Sequence, residues 1–218
     1  NTTAANNVAV GASALAANTT GASNVAVGTT ALDANTTGSS NVAIGVDALG
    51  ASTTANGSVG VGYFAGKSIT TGPRNTALGA NTLLTVTTAA NNTAVGYNAL
   101  TLNSSGAQNT AVGTYCLDDN TTGADNTAVG YAALGANTTG ASNVAIGKDA
   151  LIANTTGTEN TALGKGAALV STTSNSIVAI GAQALNSLLS GAYNVAVGHD
   201  ALTAVTTSGD NTAVGLQA

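Results

Sequence analysis

A five-residue motif, Asn-Thr/Val-Ala-Val/Ile/Leu-Gly, recurs every 17 residues through this 218-residue chain with no insertion or deletion. Its copies begin at residues 7, 24, 41, 58, 75, 92, 109, 126, 143, 160, 177, 194 and 211. Ser58 and Ile177 replace the first Asn in two copies, and the register continues through both. So strict a period predicts that each repeat is one structural unit that stacks on the next.

Within the repeat, numbered 1 to 17 from the motif Asn, some positions are nearly fixed and others vary freely. Position 5 is Gly in all thirteen copies, position 3 is Ala in all but Gly60, and position 4 is always Val, Ile or Leu. Positions 8 and 9 are mostly Ala and Leu, and positions 12 to 15 read Asn-Thr-Thr-Gly or a close relative. Positions 6, 7, 10, 16 and 17 accept many residue types. We predict that the fixed positions form the inside; the most regular structural residues are Gly96, Gly113, Gly130, Gly147, Ala94, Ala111, Ala128 and Ala145.

The alternation of β-branched and small residues predicts a short strand at positions 1 to 5, closed by the Gly. We expect a second extended run at positions 8 to 12 and a turn with a left-handed residue at Asn-Thr-Thr-Gly. An invariant Gly in so short a unit disfavours a helical pair. The sequence therefore predicts an all-β fold over residues 1–218: a single β-solenoid rod of the β-roll or β-helix class, with one 17-residue coil per repeat and a rise of about 4.8 Å.

Both faces of the predicted strand exclude large polar side chains, which predicts that both are covered. The interior of a narrow coil covers one face only. A second copy of the chain, packed in register, is the simplest cover for the other, so we expect a parallel homo-oligomer. The pattern leaves open which row meets the second copy, and it predicts that Ala128→Lys disrupts assembly.

The chain begins with Asn1 at position 12 and ends with Ala218 at position 8. Both ends therefore fall within a coil, and neither carries an atypical polar capping repeat. We expect a segment of a longer fibre.

The Asn-Thr-Ala-Val-Gly-Tyr-x-Ala-Leu … Asn-Thr-Thr-Gly pattern, as in residues 92–100 and 126–140, resembles the tandem repeats of phage tail fibres and related surface fibres. The Asn-x-Ala-Val/Ile-Gly core is also similar to the repeats of trimeric autotransporter adhesin heads, which form trimeric β-rolls from shorter repeats. The resemblance implies a homotrimeric fibre, extracellular or on a virion surface, and it carries over no receptor-binding residues.

Composition excludes several classes of function. Charged residues make up 6% of the chain, and four Lys and Arg against nine Asp and Glu form no stripe that could bind nucleic acid. No apolar run approaches the roughly 18 residues of a membrane span. The segment at residues 60–68, GVGYFAGKS, has one residue too few for a phosphate-binding loop, and its glycines fall at repeat positions 3, 5 and 9.

Catalysis is also not expected. His199 is the only histidine and Cys116 the only cysteine, so the chain offers no base and nucleophile set and no cysteine metal site. Cys116 stands at position 8, where we expect a small buried residue. We therefore expect a non-catalytic protein without a cofactor, whose partner is itself.

Four surface hypotheses remain beside the structural one. Tyr63, Tyr97 and Tyr131 share position 6 in alternate copies and are candidates for contact with host or cell-surface glycans. Stacked Thr residues of Asn-Thr-Thr-Gly give regular arrays of the kind that binds ice. Aspartates that share position 7 suggest either a calcium ladder or solvated charge, and the second interpretation is favoured; they are Asp47, Asp149 and Asp200.

The Asn-Thr-Thr segments fit both the N-glycosylation pattern and a turn; they begin at Asn18, Asn35, Asn120, Asn137 and Asn154.

Overall fold

The computed structural model describes residues 4–218, so Asn1 lies outside the described residues. The chain divides into two compact units, unit 1 ending at Gln108 and unit 2 spanning Asn109–Ala218. Unit 1 contains strands β1 (Val8–Val10), β2 (Val25–Val27), β3 (Val42–Ile44), β4 (Val59–Val61), β5 (Thr76–Leu78) and β6 (Thr93–Val95). Unit 2 contains strands β7 (Thr110–Val112), β8 (Thr127–Val129), β9 (Val144–Ile146), β10 (Thr161–Leu163), β11 (Val178–Ile180), β12 (Val195–Val197) and β13 (Thr212–Val214).

Within each unit every strand pairs in parallel with the next, and each residue faces its counterpart 17 positions along. In unit 2, for example, Thr127 pairs with Val144 and Ala128 with Ala145. The chain therefore returns to the same point after each repeat, which makes the fold a parallel β-solenoid with 17-residue coils. The predicted all-β class and coil length are confirmed, and residues 4–218 contain no helix.

The strands are shorter than predicted. The prediction of a second extended run at positions 8 to 12 was wrong. Each strand covers only positions 2 to 4, and positions 6 to 11 form turns. Residues at positions 7 and 9 adopt the left-handed conformation, as at Ala132 (φ 52°) and Leu134 (φ 53°). These left-handed residues bend the backbone where an extended run would carry it away from the coil. Coil-to-coil hydrogen bonds continue through the turn, because the Leu134 N–H donates to the Ala150 carbonyl at 3.0 Å.

The interior is filled by the small and apolar residues of positions 3, 8 and 9. Ala128, Ala133 and Leu134 are all fully buried. A left-handed conformation costs a Leu roughly 1–2 kcal/mol, whereas burying its side chain contributes about 1.5–3 kcal/mol. The free energy gained by burial therefore outweighs the backbone strain. This explains why position 9 is Leu, although proteins generally place glycine where the backbone is left-handed.

Asparagine side chains run through the interior as ladders. At position 1, Asn126 Oδ1 accepts from the Asn143 backbone N–H at 3.0 Å, and Asn143 Nδ2 donates to the Gly157 carbonyl at 2.9 Å. At position 12, Asn154 Nδ2 donates to Asn137 Oδ1 at 2.8 Å. These bonds pair polar groups that would otherwise be buried without partners.

Glycine serves two different purposes in the repeat. At position 5, Gly130 has φ 134°, and a Cβ there would lie 2.6 Å from the Gly147 carbonyl oxygen of the next coil. The prediction of a left-handed residue in Asn-Thr-Thr-Gly was wrong, because Gly140 at position 15 has no positive φ. Gly140 is needed for space instead: a Cβ would overlap Asn137 Oδ1 and the Gly157 carbonyl oxygen.

Candidate assembly face and surface sites

The outer face of the sheet, defined here as the position 2 and position 4 side chains of the strands, is uncharged and consists only of Val, Ile, Leu and Thr. Position 4 points outward in both units, and Ile44, Leu78, Ile146 and Leu163 are exposed. Leu163, the most exposed of these four, keeps 45% of its surface accessible. No copy places a charged residue at position 2 or position 4. A regular, uncharged surface with exposed aliphatic side chains of this kind is typical of an interface.

The structure answers which strand row faces the coil interior. Ala128 is fully buried inside its own coil, whereas Val129 beside it is exposed. The row of position 3 residues is therefore covered by its own chain, and the Val/Ile/Leu row is the one left open. Ala128→Lys would consequently disrupt the coil itself, so it cannot serve as a test of assembly as predicted.

The threonines of Asn-Thr-Thr-Gly differ in their roles. At position 13 the hydroxyl bridges coils, as Thr138 Oγ1 donates to the Thr155 carbonyl at 2.9 Å. At position 14 the side chain is exposed, as at Thr139. One of the two Thr rows is thus engaged in holding the solenoid together, and ice binding stays a prediction.

The asparagines of the same segments are interior residues. Asn137 is fully buried, and its Nδ2 donates to Asn120 Oδ1 at 2.8 Å and to the Gly140 carbonyl at 3.0 Å. The folded chain therefore gives an N-glycosylation enzyme no access to this amide nitrogen. The side chain serves the fold, although its ladder was not anticipated. The sequence did contain a signal for it, because every Asn at position 12 from Asn18 onward is followed by Gly at position 15.

The tyrosines at position 6 are exposed, as the glycan hypothesis requires. Tyr63 and Tyr97 lie in unit 1, and Tyr131 lies in unit 2 and is 50% exposed. Each unit also contains an aromatic contact that the alternate-copy pattern did not predict. Tyr63 stacks on Phe64 with ring centroids 3.9 Å apart, and Tyr131 meets Tyr115 edge to face at 6.1 Å.

The aspartates at position 7 each lie beside a basic side chain. Asp47 forms an ion pair with Lys67 at 2.9 Å, and the hydrogen bond from Lys67 lowers the pKa of Asp47. Asp149 pairs with Lys148 at 3.1 Å, and Asp200 lies 2.9 Å from His199 Nδ1. All three aspartates have φ 58°, a conformation that Asp and Asn tolerate better than most residues. Their recurrence at one position therefore follows from the turn, and no group of three potential metal ligands forms among residues 4–218.

Two further titratable groups are perturbed by burial. Cys116 is buried as predicted, and burial raises the pKa of its thiol to about 12. Its Sγ donates to the Ala128 carbonyl at 3.2 Å. Burial, with the neighbouring charge of Asp119, raises the pKa of Asp118 to about 6.

Within the described range, 4–218, no helix has the length and apolar character needed to span a bilayer. No family model matches the chain, and no characterised protein or solved structure shows significant similarity to it.

Proposed function

We propose that this chain is a structural segment of a fibre shaft, a non-catalytic β-solenoid that assembles in parallel with copies of itself. The sequence resemblance favours a homotrimer in a phage tail fibre or a cell-surface adhesin, located outside the cell or on a virion. The observation that carries the proposal is the uncharged outer face, which has Val, Ile or Leu at position 4 and Val or Thr at position 2 in every copy of the repeat.

A second copy is the occupant that this face favours, for a geometric reason. The outer face repeats once per 17-residue coil, and each coil of a parallel solenoid rises by about 4.8 Å. An identical chain has the same spacing, so every coil can make the same contact without accumulating a mismatch. An unrelated partner would need to reproduce that period.

The available area suits a stable interface. A standard interface buries roughly 800 Å² per partner. Two outward side chains on each of the seven strands of unit 2 offer an area of that order, and unit 1 adds six more strands. Because every copy in a closed cyclic assembly presents the same surface to the common axis, such a face favours a defined oligomer.

The test is a measurement of mass in solution by light scattering and sedimentation. We expect a trimer for the unmodified chain. The double variant Ile146→Lys and Leu163→Lys places two ammonium groups on the outer face and should weaken assembly at least 100-fold, since each buried charge is costly. The matched control, Thr139→Lys with Thr156→Lys, adds the same charges at exposed position 14 and should assemble normally.

A stable monomer of the unmodified chain at high concentration would overturn the proposal. Equal loss of assembly in the outer-face variant and in the position 14 control would also count against the proposal. That result would show that added charge alone, rather than the outer face, controls association. Circular dichroism of each variant establishes that the coils remain folded.

A further inference from the structure

The chemically versatile side chains of this protein are concentrated on one side of the repeat. Five of the six aromatic residues occupy positions 6 and 7, in a chain that has only 3% aromatic residues. They are Tyr63, Phe64, Tyr97, Tyr115 and Tyr131. Lysines occupy position 6 in two successive coils as Lys148 and Lys165. Position 6 therefore accepts the charges that the outer face excludes, which indicates that it stays in contact with water.

In unit 2 four of these residues form one cluster, the Tyr131 cluster: Tyr115, Tyr131, Lys148 and Asp149. The two tyrosine rings meet at 87° with centroids 6.1 Å apart, and Lys148 Nζ lies 5.7 Å from the Tyr131 ring centre. The same ammonium group pairs with Asp149 at 3.1 Å. The Asp149 backbone N–H donates to the Tyr131 carbonyl at 2.9 Å, which fixes the two coils against each other.

Unit 1 contains a second cluster with the same components, the Tyr63 cluster: Asp47, Tyr63, Phe64 and Lys67. Its rings are stacked at 3.9 Å, Lys67 Nζ lies 4.0 Å from the Phe64 ring centre, and Lys67 pairs with Asp47 at 2.9 Å. The sequence has only four Lys and Arg residues and nine Asp and Glu residues. Aromatic and charged residues are rare in this chain, yet two aromatic rings, a lysine and an aspartate come together in each of the two units.

We propose that each cluster is a binding site for a neutral sugar unit of an oligosaccharide. A half-exposed aromatic ring offers an apolar surface to the C–H face of a pyranose. The adjoining lysine can donate to a sugar hydroxyl and the aspartate can accept from one. Tyr131 is 50% exposed and Tyr63 is 52% exposed, so each ring retains surface for a ligand.

A neutral ligand is favoured over an acidic one by the charge of unit 2. That unit holds seven acidic residues against Lys148 and Lys165 alone, so it repels a polyanion. In each cluster the lysine is already paired with an aspartate, which leaves no free cation dedicated to a carboxylate. The paired charges suit hydroxyl groups, which both donate and accept hydrogen bonds.

The inference is tested by titration with neutral hexasaccharides of β-1,4-glucose, α-1,4-glucose and mannose, and with a hexauronate. Since the chain has five Tyr and no Trp, tyrosine fluorescence reports on these sites directly, and amide chemical shifts locate the affected coils. We expect saturable binding of at least one neutral sugar, with a Kd on the order of 1 mM per site. Repetition along an assembled fibre would then raise the apparent affinity.

Variants separate binding from stability. Tyr131→Ala and Tyr63→Ala should each abolish the chemical-shift changes in their own unit and leave those in the other unit intact. Lys148→Gln should weaken binding in unit 2 by about threefold to tenfold, because it replaces the charged donor with a shorter, neutral one. Tyr193→Ala, at an exposed tyrosine outside both clusters, and Lys165→Gln, at the next lysine of position 6, are the matched controls.

Absence of a saturable response to all three neutral sugars would overturn the inference. So would binding that survives both Tyr131→Ala and Tyr63→Ala, or a hexauronate that binds as tightly as the best neutral sugar. The variant carrying Ile146→Lys and Leu163→Lys keeps both clusters, so sugar binding should persist when assembly is lost. The outcome for the sites is thereby independent of the outcome for the proposed fibre.

Discussion

The position 12 ladder stops where Ser171 replaces Asn, and at this point three buried polar atoms have no hydrogen-bond partner. They are Asn154 Oδ1, Ser171 Oγ and Ser174 Oγ. Asn154 still donates to Asn137 Oδ1, so the ladder is intact on one side of the break. An unpartnered buried polar group costs roughly 1–3 kcal/mol. The break is therefore a local weakness that substitution can repair.

The repair is Ser171→Asn combined with Ser174→Gly. Asn at 171 would donate to Asn154 Oδ1 and to the carbonyl of residue 174, as Asn154 itself donates to Asn137 Oδ1 and Gly157. Glycine at 174 is required because Asn at position 12 leaves no space for a Cβ at position 15, as Gly157 shows beside Asn154.

The expected gain follows from counting partners. The double variant removes three unpartnered atoms and creates one, the Oδ1 of Asn at 171, because Leu188 in the next coil has no polar group to offer. At about 1 kcal/mol for each of the two atoms removed on balance, the gain is about 2 kcal/mol. The new glycine offsets about 0.5–1 kcal/mol through its greater chain entropy. The net stabilisation should be about 1–1.5 kcal/mol.

Unit 1 offers a weaker version of the same break. There Asn35 Oδ1 and Ser52 Oγ lack partners, and Ser52→Asn with Ala55→Gly would remove two such atoms and create one. The gain there should be close to zero once the glycine is included. Ser171→Asn alone should be destabilising, since the Ser174 Cβ remains in the way.

The assay is unfolding in guanidinium chloride at fixed protein concentration, with amide hydrogen exchange to localise the change to the affected coils. A fixed concentration matters because assembly would add to apparent stability. The reasoning is refuted if Ser171→Asn alone stabilises as much as the double variant, or if the double variant in unit 2 is less stable than the unmodified chain.

Three further predictions concern single groups. Thr138→Val should cost about 0.5–1 kcal/mol in the free energy of unfolding because it removes the hydroxyl bond to the next coil, whereas Thr139→Val, at exposed position 14, should be nearly neutral. Asp118 has a pKa raised from 3.8 to about 6, so its folded state binds the proton more tightly and stability should fall as the pH rises from about 4 to about 6. Asp118→Asn should remove that pH dependence and stabilise the protein at pH 7 by about 1 kcal/mol, a figure reduced for the exposed part of the carboxyl group; an unchanged pH profile of thermal unfolding would contradict this. Cys116, buried with a thiol pKa of about 12, should not react with a disulfide reagent at pH 8 until the chain unfolds, and rapid reaction of the folded protein would argue against its burial.

The Tyr63 cluster and the Tyr131 cluster show how much of a side-chain arrangement a sequence pattern can predict. Tyr63 and Tyr131 were identified as exposed from their variable position, but Tyr115 and Phe64 were not connected with them. Their pairing depends on the distance between adjacent coils and on side-chain rotamers, which no spacing in the sequence expresses. The concentration of five of the six aromatic residues at positions 6 and 7 was the signal that could have led to them.

The sequence by itself determined the repeat length, the parallel register and the class of fold, because each coil must match its neighbour and one inserted residue would shift every later contact. Only the tertiary structure decided which strand row faces inward. Alternation distinguishes two faces of a strand, but the direction in which the coil closes selects the inner one. That closure depends on left-handed residues such as Leu134, whose conformation opposes its intrinsic preference and is held by packing in the core.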